Sequence, residues 1–474
     1  MAGPSLGTNL SGLDDWSTSY PFVNQFLMTR GWFTQSATEW DSGDAGLLDL
    51  DANGWVRGFT DDGTAPPFQN VASIWQTNGT IFRPGTYVLD WQGSGDVSIS
   101  GNATLLSQTD GRITFRLNGP DAVGISLNST DPGNTGDYVR DMRLYHADDA
   151  DLIEAGAIFN PAFLERIEDF RVLRFMDWGQ TNNSTVDGIA DLRPFDAARQ
   201  TGPGGASLEL MVDLANQTRA DAWFTIPHLA DAAYIRTFAT YVRDHLDPGL
   251  MARFEYSNEV WNWGFEQAQW AQQQAVVTWG ADVEGGWMQW YGRQATTMAL
   301  IVANVFGAET GTRALNVFAT QSGWQGLEGY ALDAPEWVAD GGLTPRDAPF
   351  HVYAIAPYFS GGVGSVDNAA QVDQWIAMGD AGFLAAIVYI RSGPDFDSLA
   401  NIGSTIAYHA GVAAASAGRL RLMRPGSTSS IRKGCSAARR TPHRPRSSST
   451  WCAGPSFATC TWNTSRSGAT RAAG

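Results

Sequence analysis

The sequence predicts an α/β fold: a (β/α)8 TIM-type barrel, incomplete at its C-terminal end, with an inserted antiparallel β-sandwich. After residue 160, short apolar runs alternate with amphipathic segments, and strands separated by helices pair in parallel through right-handed crossovers. Between residues 59 and 146 the pattern changes to short runs of period-two alternation with turn residues between them, which is typical of antiparallel sheets. Beyond residue 423 no hydrophobic period continues.

Seven barrel strands are predicted in chain order. The first lies within residues 6–13, and a helix is expected to follow from Ser19, with Pro21 in its first turn. The other six strands are RVLRFMDW (171–178), DAWFTIP (221–227), MARFEYS (251–257), ALNVFAT (314–320), FHVYAIAP (350–357) and RLRLM (419–423). Amphipathic helices are predicted between them, for example at 205–218, 232–246 and 287–306. Because a closed barrel of this type needs eight strands, we expect an open sheet with two unpaired edges.

The chain divides into four predicted parts. They are the first barrel strand and helix (1–57), the inserted β-sandwich (58–147), the remainder of the barrel (148–423) and a basic tail of low order (424–474). The sandwich could bind carbohydrate through Trp75 or Trp91, but scaffolding is the more frequent role of such an insertion.

The tail differs from the rest of the chain in its charge. Residues 418–474 hold 11 of the 31 basic side chains and none of the 49 acidic ones, so the first 417 residues carry a net charge of −29. This composition fits a disordered basic extension. A frameshift just after Met423 explains the composition better, because a frameshift in a GC-rich gene gives a protein sequence rich in Arg, Pro, Ser and Cys. The three cysteines, Cys435, Cys452 and Cys460, match no zinc or disulfide spacing.

The stretch MARFEYSNEVWNWG (251–264) carries the strongest chemical signal. It begins as a strand, turns polar at residues 257–259 and continues into Trp261 and Trp263. An acidic Glu259 at the point where a strand ends, beside the amide of Asn258 and two indoles, offers a proton donor, a hydroxyl-binding group and stacking faces for a sugar. A buried glutamate that holds a loop, with tryptophans that fill the core, is the structural alternative.

The segment YSNEVWN resembles the fourth barrel strand of the clan A glycoside hydrolases and, more closely, a group of bacterial proteins labelled cellulose-binding. The resemblance covers residues 5–423. It implies that Glu259 is the general acid/base and that Asn258 binds the sugar 2-hydroxyl. It also implies that Arg174 orients the nucleophile and that Tyr358 contacts it.

The other ends of predicted strands complete the candidate substrate site, because carboxyl ends of barrel strands face the active site. Two alternatives stay open: Arg174 could instead pair with Asp177 or another barrel carboxylate, and the histidine after the third strand could be a satisfied polar group. The additional candidates are Trp178, His228, Trp261, Gln321 and Trp324.

The expected nucleophile is missing. Retaining enzymes of this clan place a second glutamate at the end of the seventh strand, with the two carboxyl groups about 5–5.5 Å apart. The segment 419–423 resembles that strand, but the chain continues Arg424-Pro425-Gly426, and its last acidic residue is Asp397. We therefore expect a protein of hydrolase lineage with little or no glycosidase activity, because the covalent step of the double displacement is lost. A non-catalytic carbohydrate-binding protein is the alternative.

Composition and motifs exclude several other classes. A net charge of −18 argues against nucleic acid and anionic membranes as partners. No apolar run reaches the ~18 residues of a membrane span. The sequence contains no cofactor-binding motif, and its six histidines are scattered without the spacing of a metal site. The run Asp49–Gly54 imitates the start of a calcium loop, but Thr60 stands where that loop needs glutamate, so a tight turn is favoured. The expected partner is a β-linked polysaccharide or oligosaccharide. The resemblance implies a secreted or periplasmic protein, although no signal peptide is visible in the sequence as written.

Overall fold

The computed structural model of the protein describes residues 6–75, 83–416 and 421–423. The predictions on the tail and its cysteines lie outside these residues. The strands in chain order are β1 (Gly7–Asn9), β2 (Phe33–Gln35), β3 (Asp49–Leu50), β4 (Val56–Gly58), β5 (Asn70–Trp75), β6 (Gly85–Gln92), β7 (Gly95–Gly101), β8 (Ala103–Thr109), β9 (Arg112–Leu117), β10 (Val123–Thr130), β11 (Arg140–His146), β12 (Val172–Arg174), β13 (Asp221–Ile226), β14 (Ala252–Tyr256), β15 (Ala314–Thr320), β16 (Phe350–Ile355) and β17 (Arg421–Met423).

Within the described residues, the helices coincide with the amphipathic segments of the sequence. They are α1 (Ala150–Glu154), α2 (Pro161–Ile167), α3 (Leu208–Thr218), α4 (Ala232–His245), α5 (Glu266–Trp279), α6 (Gly286–Phe306), α7 (Leu327–Asp333), α8 (Pro335–Ala339), α9 (Ala369–Ala377), α10 (Asp380–Ser392) and α11 (Leu399–Ala415). Among them none combines the length and hydropathy that a bilayer crossing requires.

Seven parallel strands form the central sheet, in the order β1-β12-β13-β14-β15-β16-β17. Each of the seven predicted barrel strands is present. Side chains from β12, β13, β15 and β16 share one apolar cluster on the inner face, so the sheet is curled. Within the described residues β1 and β17 are not paired with each other. The structure therefore contains an open, curled parallel sheet, and a closed barrel is not formed by this part of the chain.

The inner face of this sheet is polar at its centre. On β14 the side chains of Phe254 and Tyr256 pack outward into the main core with the surrounding helices. Because side chains alternate along a strand, Arg253 and Glu255 point to the inner face. Both are buried, so each needs a charged partner there.

The segment between β1 and β12 folds into two four-stranded antiparallel sheets, β2-β5-β10-β7 and β11-β6-β9-β8. Their inner side chains share a second hydrophobic core. Strand β2, which precedes the predicted boundary at residue 58, pairs with β5. Trp75 and Trp91 are both buried in this core, so the suggestion that either forms an exposed sugar platform is wrong.

Two local predictions have different outcomes. The helix expected from Ser19 is wrong: the segment forms only a short 3-10 helix, Gln25–Met28. The reason is that Phe22, Val23 and Phe26 are all buried, so this stretch has no solvent-facing side to support an amphipathic helix. The tight turn at Asp49–Gly54 is confirmed, since it joins β3 to β4 and the Asp51 carboxylate accepts backbone N–H groups within it.

Helices α9 and α10 expose an unusual number of apolar side chains. Ile376, Phe383, Leu384 and Val388 are each more than three-fifths exposed. Large apolar side chains are usually buried, so this degree of exposure on two neighbouring helices is unusual.

Candidate active site

The turn that follows β14 has a strained backbone. Ser257 and Glu259 both adopt left-handed conformations, with φ of 59° and 43°. Such conformations cost non-glycine residues about 1–3 kcal/mol each and cluster at functional sites, because surrounding contacts must hold them. Ser257 is fully buried, and the turn fixes the direction in which Glu259 leaves the sheet.

Both carboxylate oxygens of Glu259 accept hydrogen bonds. The Tyr358 hydroxyl donates to Oε1 at 3.0 Å, and Asn262 Nδ2 donates to Oε2 at 3.0 Å. Partial burial, followed by the nearby Glu259 carboxylate, raises the pKa of Tyr358. The tyrosine therefore stays protonated and serves as a donor. The structure places Tyr358 on Glu259 itself, whereas the contact with a nucleophile after Met423 falls outside the described residues.

Below Glu259, a buried ion pair joins β12 to β14. Arg174 donates to Glu255 Oε2 from Nη2 at 2.9 Å and from Nε at 3.2 Å, and Trp223 Nε1 donates to the same oxygen at 2.8 Å. Burial raises the pKa of Glu255, and the Arg174 charge opposes that rise. The alternative for Arg174, a salt bridge with a barrel carboxylate, is thus present, and its partner is Glu255. Sequence reasoning missed Glu255, although its inward position on the strand was readable from the alternation.

Asn258 is buried and already engaged on both polar atoms. Its Oδ1 accepts from Arg174 Nη2 at 3.1 Å, and its Nδ2 donates to Asn182 Oδ1 at 2.9 Å. Gln267 donates to the Asn258 carbonyl and to Asn182. One amide hydrogen of Asn258 has no hydrogen-bond acceptor in this network, so contact with a sugar hydroxyl stays a prediction. Asn182 and Gln267 were not predicted, because no local pattern marks them.

The network continues toward the first strand. Arg174 Nη1 donates to Asn9 Oδ1 at 3.4 Å, and Asn9 Nδ2 donates to Asp177 Oδ2 at 2.7 Å. Burial raises the pKa of Asp177, and the Arg174 charge partly offsets it. Arg174 is therefore shared among Glu255, Asn258 and Asn9, and it links its own strand β12 to β14 and β1.

Trp178 does not belong to a substrate surface. Only 1% of its area is exposed, and its ring packs against Phe22 and Phe175, while Nε1 donates to the Ser11 carbonyl at 3.1 Å. A sugar cannot stack on a buried indole. The prediction that Trp178 binds substrate is wrong because it placed Trp178 at the end of a strand over 171–178, whereas β12 ends at Arg174 and the indole turns into the core.

His228 lies after β13 and is 3% exposed. Its ring meets Trp270 edge-on, with 5.4 Å between ring centroids, and its Nδ1 has no hydrogen-bond partner. Burial lowers the pKa of His228 to about 4. It is a neutral, buried side chain at working pH, and hydrogen bonding to a sugar stays a prediction.

A pH-dependent loss of stability follows from His228. In the unfolded chain an ordinary histidine binds a proton below about pH 6.5, whereas folded His228 does so only near pH 4. The contribution of His228 to the free energy of unfolding is therefore fully kept above pH 6.5, and this free energy falls by roughly 3 kcal/mol as the pH drops to 4. Urea titrations between pH 4 and 7.5 should show this slope in the wild type and a flatter one in His228→Phe. Equal slopes in the two proteins would refute the assignment.

The remaining predicted residues are aromatic or support aromatics. Trp261 is half-buried and packs against the inner cluster of the sheet. Trp324 is 50% exposed, and Gln321 Oε1 accepts its backbone N–H at 2.7 Å. Gln321 thus stabilises the loop that carries Trp324. The ring of Trp287 lies next to that of Trp324 and next to that of Trp263; the sequence marks Trp263 as a stacking face but gives no sign of Trp287.

The structure brings four predicted residues together: Arg174, Asn258, Glu259 and Tyr358 form one chain of contacts. His228, Gln321 and Trp324 follow strand ends of the same sheet edge without a direct hydrogen bond to Glu259 among the described contacts. In the described ranges no group of three or more His, Cys, Asp or Glu side chains has metal-binding geometry. The arrangement supplies a proton donor or acceptor, an arginine-centred network and aromatic surface.

No family model and no curated protein matches the sequence. Among solved structures, the chain is similar to the CBM22-1 and GH10 modules of a Clostridium thermocellum endo-1,4-beta-D-xylanase complexed with xylohexaose. The TM-score is 0.27 at 9% identity, over 79% of this chain and 89% of that one. It is also similar to a beta-glucosidase from Kluyveromyces marxianus, with a TM-score of 0.15 at 12% identity, over 42% of this chain and 24% of that one.

Proposed function

We propose that this protein belongs to a glycoside hydrolase lineage and binds a β-linked polysaccharide or oligosaccharide, with Glu259 as the general acid of a two-carboxylate mechanism. The observation that carries the proposal is the setting of Glu259. It follows a parallel strand in a strained left-handed turn, and Tyr358 and Asn262 orient both of its oxygens. Strain at a polar strand end is more typical of a functional site than of a packing element.

The chemistry assigned to each residue follows from its contacts. Glu259 would give its proton to the glycosidic oxygen as the bond to the anomeric carbon breaks. Arg174 holds Asn258, the neighbour of Glu259, through the hydrogen bond to its Oδ1. The second carboxylate would stand just after β17, which pairs in parallel with β16, the strand leading to Tyr358. The sequence has Arg424 there, so we propose that binding survives in this chain while the covalent step does not.

Binding and hydrolysis can be measured on the same material. The purified chain is expected to be retained on at least one of four insoluble polymers: β-1,4-glucan, β-1,3-glucan, xylan and mannan. It should release no reducing sugar above the blank. Retention by none of the four would overturn the proposal, and robust hydrolysis would contradict the missing nucleophile.

A non-catalytic carbohydrate-binding protein is the second candidate, favoured by the exposed indoles and the absent second carboxylate. The coding DNA separates the two. A glutamate followed by a continuing barrel pattern in another frame after Met423 supports the enzyme lineage, and its absence from every frame supports a binding protein.

A further inference from the structure

Three indoles form a continuous aromatic surface beside Glu259. Trp263, Trp287 and Trp324, here called the indole ridge, have ring centroids 5.1 Å apart for the first pair and 6.2 Å for the second. Trp263 is 47% exposed and Trp324 50% exposed. The three come from the loop after β14, the first turn of α6 and the loop after β15. The fold, rather than local sequence, brings them together.

The ridge is fastened to the candidate site and to the core. Asn262, directly before Trp263, donates to the Glu259 carboxylate, so the first indole and the acid share one turn. Trp287 packs against the main hydrophobic core. The loop of Trp324 is held by the hydrogen bond from its backbone to Gln321. The indoles therefore keep their relative positions before any ligand arrives, which reduces the entropy lost on binding.

Exposed flat rings suit two kinds of polymer: nucleic acids, whose bases stack, and polysaccharides, whose C–H faces stack. Single-stranded nucleic acids also need a basic groove for their phosphates. The first 417 residues carry a net charge of −29, which repels polyanions. A neutral sugar chain escapes this repulsion, and it also matches the carboxylic acid next to the ridge.

We propose that the indole ridge binds consecutive residues of a neutral β-linked polysaccharide that continues outward from Glu259. This inference rests on the proposed carbohydrate ligand. It adds the location of the part of the polymer that extends beyond Glu259. Its consequence is a dependence on chain length, since a disaccharide at Glu259 cannot cover three indoles whereas a hexasaccharide can.

The test uses the full chain and two soluble series, β-1,4-linked xylose and β-1,4-linked glucose oligomers of two to six residues, together with the polymer that retains the wild type. Affinity measured by calorimetry should rise with length in the wild type. Trp263→Ala and Trp324→Ala should each weaken hexasaccharide or polymer binding by roughly tenfold and weaken disaccharide binding by a smaller factor. Trp263→Tyr, which keeps a stacking face, should lose less than Trp263→Ala.

The matched control is Trp40→Ala, because Trp40 is similarly exposed but lies in the antiparallel region against Phe33. It should bind as the wild type does, and thermal unfolding should confirm that all variants are folded. If the Trp263 and Trp324 variants bind every length as the wild type does, the ridge is refuted and the proposed function stands. If the wild type binds no saccharide or polymer, both fall. Loss of disaccharide and hexasaccharide binding by the same factor would assign the indoles a structural role and also refute the ridge.

Discussion

Cleavage of phenyl β-glycosides by this chain is expected to require added azide, and Glu259→Gln should lower the azide-dependent rate by about 10²–10⁴-fold. Azide can occupy the place of the second carboxylate and attack the anomeric carbon while the bond to the phenol oxygen breaks. That oxygen takes its proton from Glu259, and the side-chain amide of the Glu259→Gln variant cannot supply this proton. Rates on phenyl β-glucoside and β-xyloside, with and without azide, measure the effect, and the product should be a glycosyl azide of inverted configuration.

The leaving group provides the control for this experiment. A dinitrophenyl glycoside departs without a proton, so its azide-dependent cleavage should be similar in the wild type and in Glu259→Gln. If Glu259→Gln cleaves the phenyl substrate with azide as fast as the wild type does, Glu259 is not the acid. If neither substrate yields a glycosyl azide, the site does not hold a glycoside in the reactive position.

Removing Arg174 should destabilise the protein by about 3–5 kcal/mol at neutral pH, because Arg174→Met leaves Glu255 buried without its cation. The pair is nearly sealed from water, with the Arg174 and Glu255 side chains 10% and 4% exposed. The pKa of Glu255 is already raised by burial and rises further without Arg174. The variant's folded state then binds a proton that the unfolded state does not, so the deficit should shrink as the pH falls toward 5. Urea unfolding at pH 7 and pH 5 measures both effects.

Arg253 offers a matched comparison for Arg174. It lies on the inner face of β14, equally buried, and pairs with Asp221 at 3.0 Å. Arg253→Met should cost stability of the same order but leave saccharide affinity unchanged. Arg174→Met should weaken that affinity as well, because Asn258 loses a hydrogen-bond donor. A variant of Arg174 as stable as the wild type, or one whose deficit grows at low pH, would contradict the ion-pair assignment.

The parallel strands were predictable because most are short runs dominated by apolar residues and followed by polar ones, and the sequences between them have helical periodicity. Buried parallel strands read that way whatever they pack against. The same logic placed Glu259 at a strand end. The absence of the helix expected from Ser19 was not predictable, since Phe22, Val23 and Phe26 are buried by distant segments. Their spacing imitates a helix without the exposed face that would stabilise one.

The contacts of the site exceed what a single sequence reveals. Asn9, Asn182 and Gln267 reach it from strand β1, a loop and helix α5, and an amide in any of these settings is common, so nothing local distinguishes them. Glu255 is the exception, because an acid at an inward position of a buried strand requires a cation, and Arg174 on a neighbouring predicted strand is a candidate for it. The indole ridge depends on the first turn of α6, whose tryptophan reads as core until the fold sets it beside two loops.

The apolar faces of α9 and α10 bear on how the protein behaves in a tube. Phe383, Leu384 and Val388 project into water far along the chain from the turn that carries Glu259. Electrostatic repulsion between strongly negative molecules acts at a distance and is screened by salt. Hydrophobic attraction between exposed apolar side chains acts at contact and is not screened. At high salt and high protein concentration the molecules should therefore self-associate and bind hydrophobic resins, and the two helices, rather than the region around Glu259, should limit solubility.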